Sequence, residues 1–285
     1  MQVFEKVAAM QQACRELRQS GKTLGLTPTM GALHAGHLSL VRAARAQCDV
    51  VATSIFVNPL QFGPKEDLAR YPRSFERDCR QLVSEGVELL FAPTVEEMYP
   101  PGTSTVVHVE GLSEKLDGKS RPGHFRGVAT VVAKLFEIVH PHYAFFGQKD
   151  AAQVAVLRKM VRDLDMDVQI VVCPTIREAD GLAMSSRNVC LSPEQRQQAL
   201  CLWRALSHVQ SLAAAGEHDP GKLIGAARQV IAAEAAARLD YAEIVDPDTL
   251  DPVSDLKRDT LVAVACFIGK VRLIDNILLP AEPGI

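Results

Sequence analysis

The stretch TPTMGALHAGHLSLVRAAR, residues 27–45, leaves a short apolar run, TLGLTP (23–28), and enters a predicted helix over 34–47 with the apolar series Leu38, Leu40, Val41. An apolar strand, a glycine-containing turn and a helix form one βα unit. In a doubly wound sheet such turns lie at the carboxyl ends of the strands, where ligands collect. Unpaired N–H groups and the dipole at a helix start favour an anion there. Gly36 keeps side-chain bulk away from a phosphate, and His34 and His37, three apart, can face one side of the first turn. Taken alone, the stretch admits both a phosphate site and a plain polar loop. Zinc would need a third ligand that the neighbourhood does not offer. Neither the dinucleotide G-x-G-x-x-G pattern nor a Gly-Lys-Ser/Thr phosphate loop is present.

Outward from this unit the texture repeats. Val3, Val7, Met10, Cys14 and Leu17 recur at helical spacing, with Gly21 as a stop. Strands are expected at 49–57, 87–93, 143–147 and 168–175, with a looser alternation at 103–110. Helices are expected at 74–85, 127–139 and 151–164. Apolar strands alternating with helices predict a parallel sheet covered on both faces. Beyond about 176 the pattern changes. Ser192-Pro193-Glu194 reads as a capped helix start, and alanine-rich helices run to about Leu239. YAEIV (241–245), TLVAVACFI (260–268) and KVRLIDNILL (270–279) read as strands, with Gly269 in a hairpin turn. The expected class is therefore α/β, a Rossmann-like doubly wound parallel sheet over 1–176, with a smaller C-terminal α+β domain over 177–285. The polar stretch NPLQFGPKEDLARYPR (58–73) is long enough to suspect function.

The bulk properties narrow the classes. At 285 residues the chain can bury a core without staples. A formal charge of −3 argues against a nucleic-acid partner. Seven cysteines without a Cys-x-x-Cys pair offer neither a zinc framework nor a disulfide scaffold and suit a reducing compartment. The opening MQVFEKVAAMQQACRELRQSG lacks a secretory signal pattern, and no apolar run has membrane-spanning length. The chain reads as cytoplasmic, with no membrane partner.

Two further stretches resemble the first in kind. FFGQKD (145–150) leaves a strand and opens a helix; Lys149 supplies a point charge for phosphate, and Asp150 can cap the helix. ADGLAMSSRN (179–188) has a glycine near its start and carries two serines and Arg187. That composition suits either a phosphate clamp or a polar turn. Together, His34-Ala35-Gly36-His37 and the later Ser-Ser-Arg loop resemble the H-x-G-H adenylylating superfamily. Within it, PTMGALHAGH, FVNPLQFG, RPGHFRGV, FFGQKD and EADGLAMSSRN occur in order and span most of 27–188. On these motifs the chain resembles the pantothenate synthetase family, ligases that join pantoate to β-alanine using ATP. Ala35 departs from the glutamate of many relatives, at the variable position of the signature.

The resemblance implies a reaction and a site. Pantoate would attack the α-phosphate of ATP, giving pantoyl adenylate and diphosphate; β-alanine would then release AMP and form pantothenate. Met30, Gly31, Ala32, Leu33, His34, Ala35, Gly36 and His37 would line the ATP site, with His37 donating a proton or positive charge to the departing diphosphate. His34 and Lys149 would hold phosphates, and Met184, Ser185, Ser186 and Arg187 would close over them. Gly147, Gln148, Lys149 and Asp150 would flank the adenosine, with a backbone group of Ile176 near adenine. Gln61 and Gln153 match the family's pantoate positions, and Gln61 would also approach β-alanine. Met30 and Phe56 are candidates for an apolar wall, and His124 for a neighbour of the site. ATP implies Mg²⁺, held mainly by phosphates and water. Asp78 and Gln81, at i and i+3 of a predicted helix, are the candidate protein ligands. The family also implies a homodimer. A nucleotidyltransferase would share the histidine signature without using an amine, and a nucleotide sensor would bind ATP without product.

Overall fold

The computed structural model describes residues 1–63 and 68–281; residues 64–67 of the suspected loop 58–73 lie outside the described residues. Contacts divide the chain into two compact units. One comprises Met1–Gly147 with Val156–Pro174, the other Gln148–Ala155 with the chain from Thr175 onward.

In the first unit, β1 (Gln2–Phe4), α1 (Val7–Gln19), β2 (Leu24–Thr29), α2 (Ala35–Gln47), β3 (Val50–Ile55), α3 (Phe75–Ser84) and β4 (Leu89–Phe91) follow one another. Then come the short helices α4 (Val95–Met98) and α5 (Asp117–Ser120), followed by α6 (His124–Val139) and β5 (Tyr143–Gly147). Helix α7 (Ala151–Asp163) runs from the second unit into the first, where β6 (Gln169–Cys173) closes the series. The strands form one parallel sheet in the order β1-β4-β3-β2-β5-β6. Leu38, Val41 and Ala44 of α2 bury against Val51, Leu90 and Phe145, so the apolar series of the opening stretch seats the helix on the sheet.

The strand order reverses at β2. From there the chain steps to β3 and β4 on one side and later returns to β5 on the other. Pairing of β2 with β3 runs the whole length of β2, but pairing with β5 covers only Gly25 and Leu26. Pro28, which has no N–H to give a neighbour, lies in the part of β2 that β5 leaves. The two strands separate at their carboxyl ends, the topological switch point of this fold.

In the second unit, α8 (Pro193–Gln198), α9 (Cys201–Ala214) and α10 (Pro220–Ala232) precede an antiparallel sheet of β7 (Ala237–Val245), β8 (Thr260–Ile268) and β9 (Val271–Leu279), in that order. Ser192 caps α8 reciprocally with Gln195. Leu202, Leu206, Val209, Leu223 and Ile231 form a core with Ile244, Val262, Val264 and Ile268. Gly269, at φ +58°, turns the two-residue β8–β9 hairpin.

Three expectations are corrected. Val3 is not helical: it pairs with Leu90 at the sheet edge, and α1 starts at Val7. Residues 103–110 form no strand, and Val107 N–H donates to the Thr130 hydroxyl instead. The alanine-rich helices end at Ala232, because 237–245 pairs with β8 as a nine-residue strand. Among the described residues, no helix is long and apolar enough to cross a membrane.

Candidate active site

The turn between β2 and α2 is held from below. Gly31 (φ +82°) and Ala32 (φ +51°) both adopt left-handed backbone, a conformation easy for glycine and strained for alanine. Their N-terminal anchor is Thr29, whose hydroxyl accepts from Gly31 N–H at 3.2 Å and donates to the Ser54 carbonyl at 2.7 Å. The larger constraint is Asp78 on α3. It is 1% exposed, and its carboxylate accepts from Ala32 N–H at 2.8 Å, Leu33 N–H at 2.9 Å and the Ser74 hydroxyl at 2.9 Å. A carboxylate accepting backbone N–H groups makes strong, charge-assisted bonds, which offset the strain at Ala32.

His34 is the N-cap of α2. Its Nδ1 accepts from Gly36 N–H at 3.1 Å, while His37 Nδ1 accepts a weaker bond from His34 N–H at 3.4 Å. The rings lie 4.1 Å apart between centroids. An imidazole nitrogen that accepts cannot carry the proton, so both neutral rings are Nε2–H tautomers by this hydrogen-bond pattern. The sequence places two histidines on this turn; the capping arrangement fixes both rings through their Nδ1 atoms.

Gln61 sits in a short 3₁₀ turn, Pro59–Gln61, capped by Asn58. Asn58 orients it. The Asn58 amide nitrogen donates to the Gly127 carbonyl and to Gln61 Oε1, both at 3.0 Å. Asn58 Oδ1 accepts from Leu60 N–H at 3.3 Å and from the Tyr99 hydroxyl at 2.9 Å. Burial pushes the Tyr99 phenol well above its ordinary range, keeping it a donor. With Oε1 occupied, Gln61 Nε2 points towards Met30 Sδ at 3.2 Å. Gly127 is required here, since a Cβ would fall 2.3 Å from the Leu60 carbonyl oxygen. His124 Nδ1 lies 2.8 Å from the Gln61 carbonyl, and Phe56 is buried with its ring 6.0 Å from Tyr99. Met30, Gln61 and His124 are thus brought together within the first unit.

In the second unit, Gln148–Asp150 form a 3₁₀ turn leading into α7, with Lys149 Nζ 3.6 Å from Asp150 Oδ1 and Gln153 half-buried one turn on. The segment 176–188 is braced at its base. Met184 N–H donates to the Ile176 carbonyl at 2.9 Å, so that backbone oxygen already has one partner. Gly181 (φ +97°) lies so close to Trp203 that a Cβ would meet the indole at 2.0 Å. Arg196 pairs with Glu178 and Asp180, and Asn188 donates to Glu178 and the Ala183 carbonyl. Ser185 Oγ accepts from Arg187 N–H at 3.2 Å, folding the Ser-Ser-Arg tip on itself.

The expected metal ligands fit only in part. Asp78 is committed to the loop through both oxygens, whereas Gln81 Oε1 is buried without a hydrogen-bond partner. Among the described residues, no group of three or more His, Cys, Asp or Glu side chains could hold a metal ion. Asn58, Tyr99 and Thr29 were not expected among the site-forming residues. Asn58 alone left a signal, an Asx side chain directly ahead of proline.

The chain matches the family model described as Pantoate-beta-alanine ligase over residues 2–278. It is 63% identical over 281 residues to a pantothenate synthetase of Koribacter versatilis, covering 99% of this chain and 97% of that one. A crystal structure of the pantothenate synthetase of Thermus thermophilus is similar with a TM-score of 0.93 at 48% identity, covering 97% of this chain and 99% of that one. A pantoate-β-alanine ligase of Francisella tularensis, solved in complex with "Beta-gamma ATP and Beta-alanine", is similar with a TM-score of 0.80 at 33% identity, covering 98% of this chain and 97% of that one.

Proposed function

The chain belongs to the pantoate–β-alanine ligase family, and from that premise we propose how its residues carry the ATP-dependent condensation of pantoate with β-alanine. A carboxylate has no leaving group, so ATP must supply one. In the reading we favour, pantoate attacks the α-phosphate, diphosphate departs, and the mixed anhydride is then opened by the amine of β-alanine with loss of AMP. Charge builds on phosphate oxygens in the first step, and donors already aimed at them do most of the catalysis.

The observation that carries this reading is the paired-histidine cap. Both Nδ1 atoms accept backbone N–H groups, which holds the His34 and His37 rings in place at the start of α2, where an anion is favoured. His37 would assist the leaving diphosphate by donating a proton or positive charge. Residues 30–37 would line the triphosphate site. Lys149 adds a point charge, Ser185, Ser186 and Arg187 with Met184 cover the phosphates, and Gly147, Gln148, Asp150 and the Ile176 backbone flank the nucleoside. Gln61, its amide turned by Asn58, would donate from Nε2 to pantoate and lie near the entering β-alanine, with Gln153 as the second pantoate group. Met30 and Phe56 give the methyl groups of pantoate an apolar wall.

Mg²⁺ enters this reading with ATP, whose phosphates and water supply most of its ligands. Gln81 Oε1 would be its protein ligand, with Asp78 retained as the loop anchor, and the ion would neutralise phosphate charge. We also infer a homodimer in the cytoplasm; the seven free thiols suit a reducing compartment. Incubation with ATP, pantoate and β-alanine tests the chemistry directly. AMP, diphosphate and pantothenate should form in equal amounts, whereas ADP as the product would overturn the adenylate route.

A further inference from the structure

Strand β9 carries RLIDNILL, an apolar run interrupted by two adjacent polar residues, Asp275 and Asn276, which are 3% and 4% exposed. Both side chains reach beyond the sheet. The Asn276 amide nitrogen donates to the Lys149 carbonyl at 2.9 Å and the Gln148 carbonyl at 3.0 Å, and its Oδ1 accepts from Gln148 Nε2 at 3.0 Å. Both amide protons and one acceptor site therefore serve the short turn that carries Lys149. Asp275 meets Arg177 in a two-pronged pair at 2.6 and 2.9 Å and accepts from Asn276 N–H at 2.8 Å. Arg177 in turn donates to the Gly181 carbonyl at 3.1 Å and lies 3.9 Å over the Trp203 ring.

The two residues thus join the Lys149 turn to the base of the 176–188 segment, entirely within the second unit. For stability alone an apolar pair would serve, because burying an ion pair and an amide costs desolvation that their bonds barely offset. What polar side chains add is a fixed location for the groups they hold. We propose that Asn276 is a positioning residue for the ligase reaction, setting the backbone of Lys149 so that its ammonium group meets the transferring phosphates, with Asp275 and Arg177 locking the Ser-Ser-Arg segment to the same strand.

This rests on the assignment of Lys149 to the phosphates, and the test separates the two. Formation of adenylate from ATP and pantoate is measured in a single turnover for the wild type, Asn276→Asp, Lys149→Met and the double variant. Aspartate keeps the shape of asparagine but turns both donors into acceptors facing two carbonyls. Asn276→Asp should slow the step about tenfold or more, as small misplacements of a catalytic group do, with pantoate affinity unchanged. In the Lys149→Met background the same change should cost less than about twofold, because the group it positions is gone. Equal factors in both backgrounds would overturn the proposal while leaving Lys149 catalytic. A Lys149→Met chain at wild-type rate would overturn the assignment of Lys149 and this proposal with it. Should Asn276→Asp not fold, Asn276→Ser, uncharged and too short to reach either carbonyl, carries the same cycle with an expected loss of about tenfold.

Discussion

At the scale of single residues, orientation decides chemistry. Gln61 would be an indifferent amide were it not for Asn58, which claims its oxygen and leaves the nitrogen as a donor beside Met30. Gln61→Ala should therefore weaken pantoate binding by roughly 1–3 kcal/mol, the cost of stranding a polar partner in a dry site, and leave ATP binding nearly untouched. Calorimetry with each ligand reads both; an equal loss for the two would mean a damaged fold rather than a lost contact. The residues proposed to face substrates stand out in the sequence, because each follows a strand or sits in an unusual motif such as H-x-G-H or NPLQFG. The residues that aim them were not. Tyr99 reaches Asn58 from 41 positions away, Asp78 reaches Ala32 from 46, and Asn276 reaches Lys149 from 127. Such pairings follow from strand order, which local periodicity does not encode.

At the scale of elements, α3 is the support of the β2–α2 turn. The sequence marks Asp78 and Gln81 as neighbours on one helical face, which suggests metal ligands; the packing shows Asp78 folded under the turn, capping the N–H groups of Ala32 and Leu33. Asp78→Asn replaces one accepting oxygen with a donor facing an N–H or hydroxyl donor. It should lower the unfolding free energy by roughly 2–3 kcal/mol, as loss of a charge-assisted hydrogen bond does, and weaken ATP binding with and without Mg²⁺. Urea titrations and nucleotide binding at both metal levels check this; a defect confined to Mg²⁺-containing buffer would assign Asp78 to the ion instead. Elements whose apolar pattern agreed with their packing, such as α2 and β8, were readable from sequence. Val3 was not, because its spacing suits a helix while the edge of β4 offers it a strand partner.

At the scale of the molecule, the sheet and its reversal at β2 explain why the decisive motif lies where it does, and the change of texture near 176 explains why a second core exists. The grouping of Gln148–Ala155 with the second unit was invisible in the sequence, since FFGQKD and the helix after it read as one more βα unit of the first sheet. In the proposed reaction the chain activates pantoate as an adenylate before the amine enters. Exchange of labelled diphosphate into ATP, measured without β-alanine, tests it most directly. Exchange should be rapid and require pantoate, fall roughly 10²–10³-fold in Lys149→Met as loss of a preorganised charge-stabilising group would have it, and be nearly abolished in His37→Ala while ATP still binds. Exchange that proceeds without pantoate, or none until β-alanine is added, would contradict it.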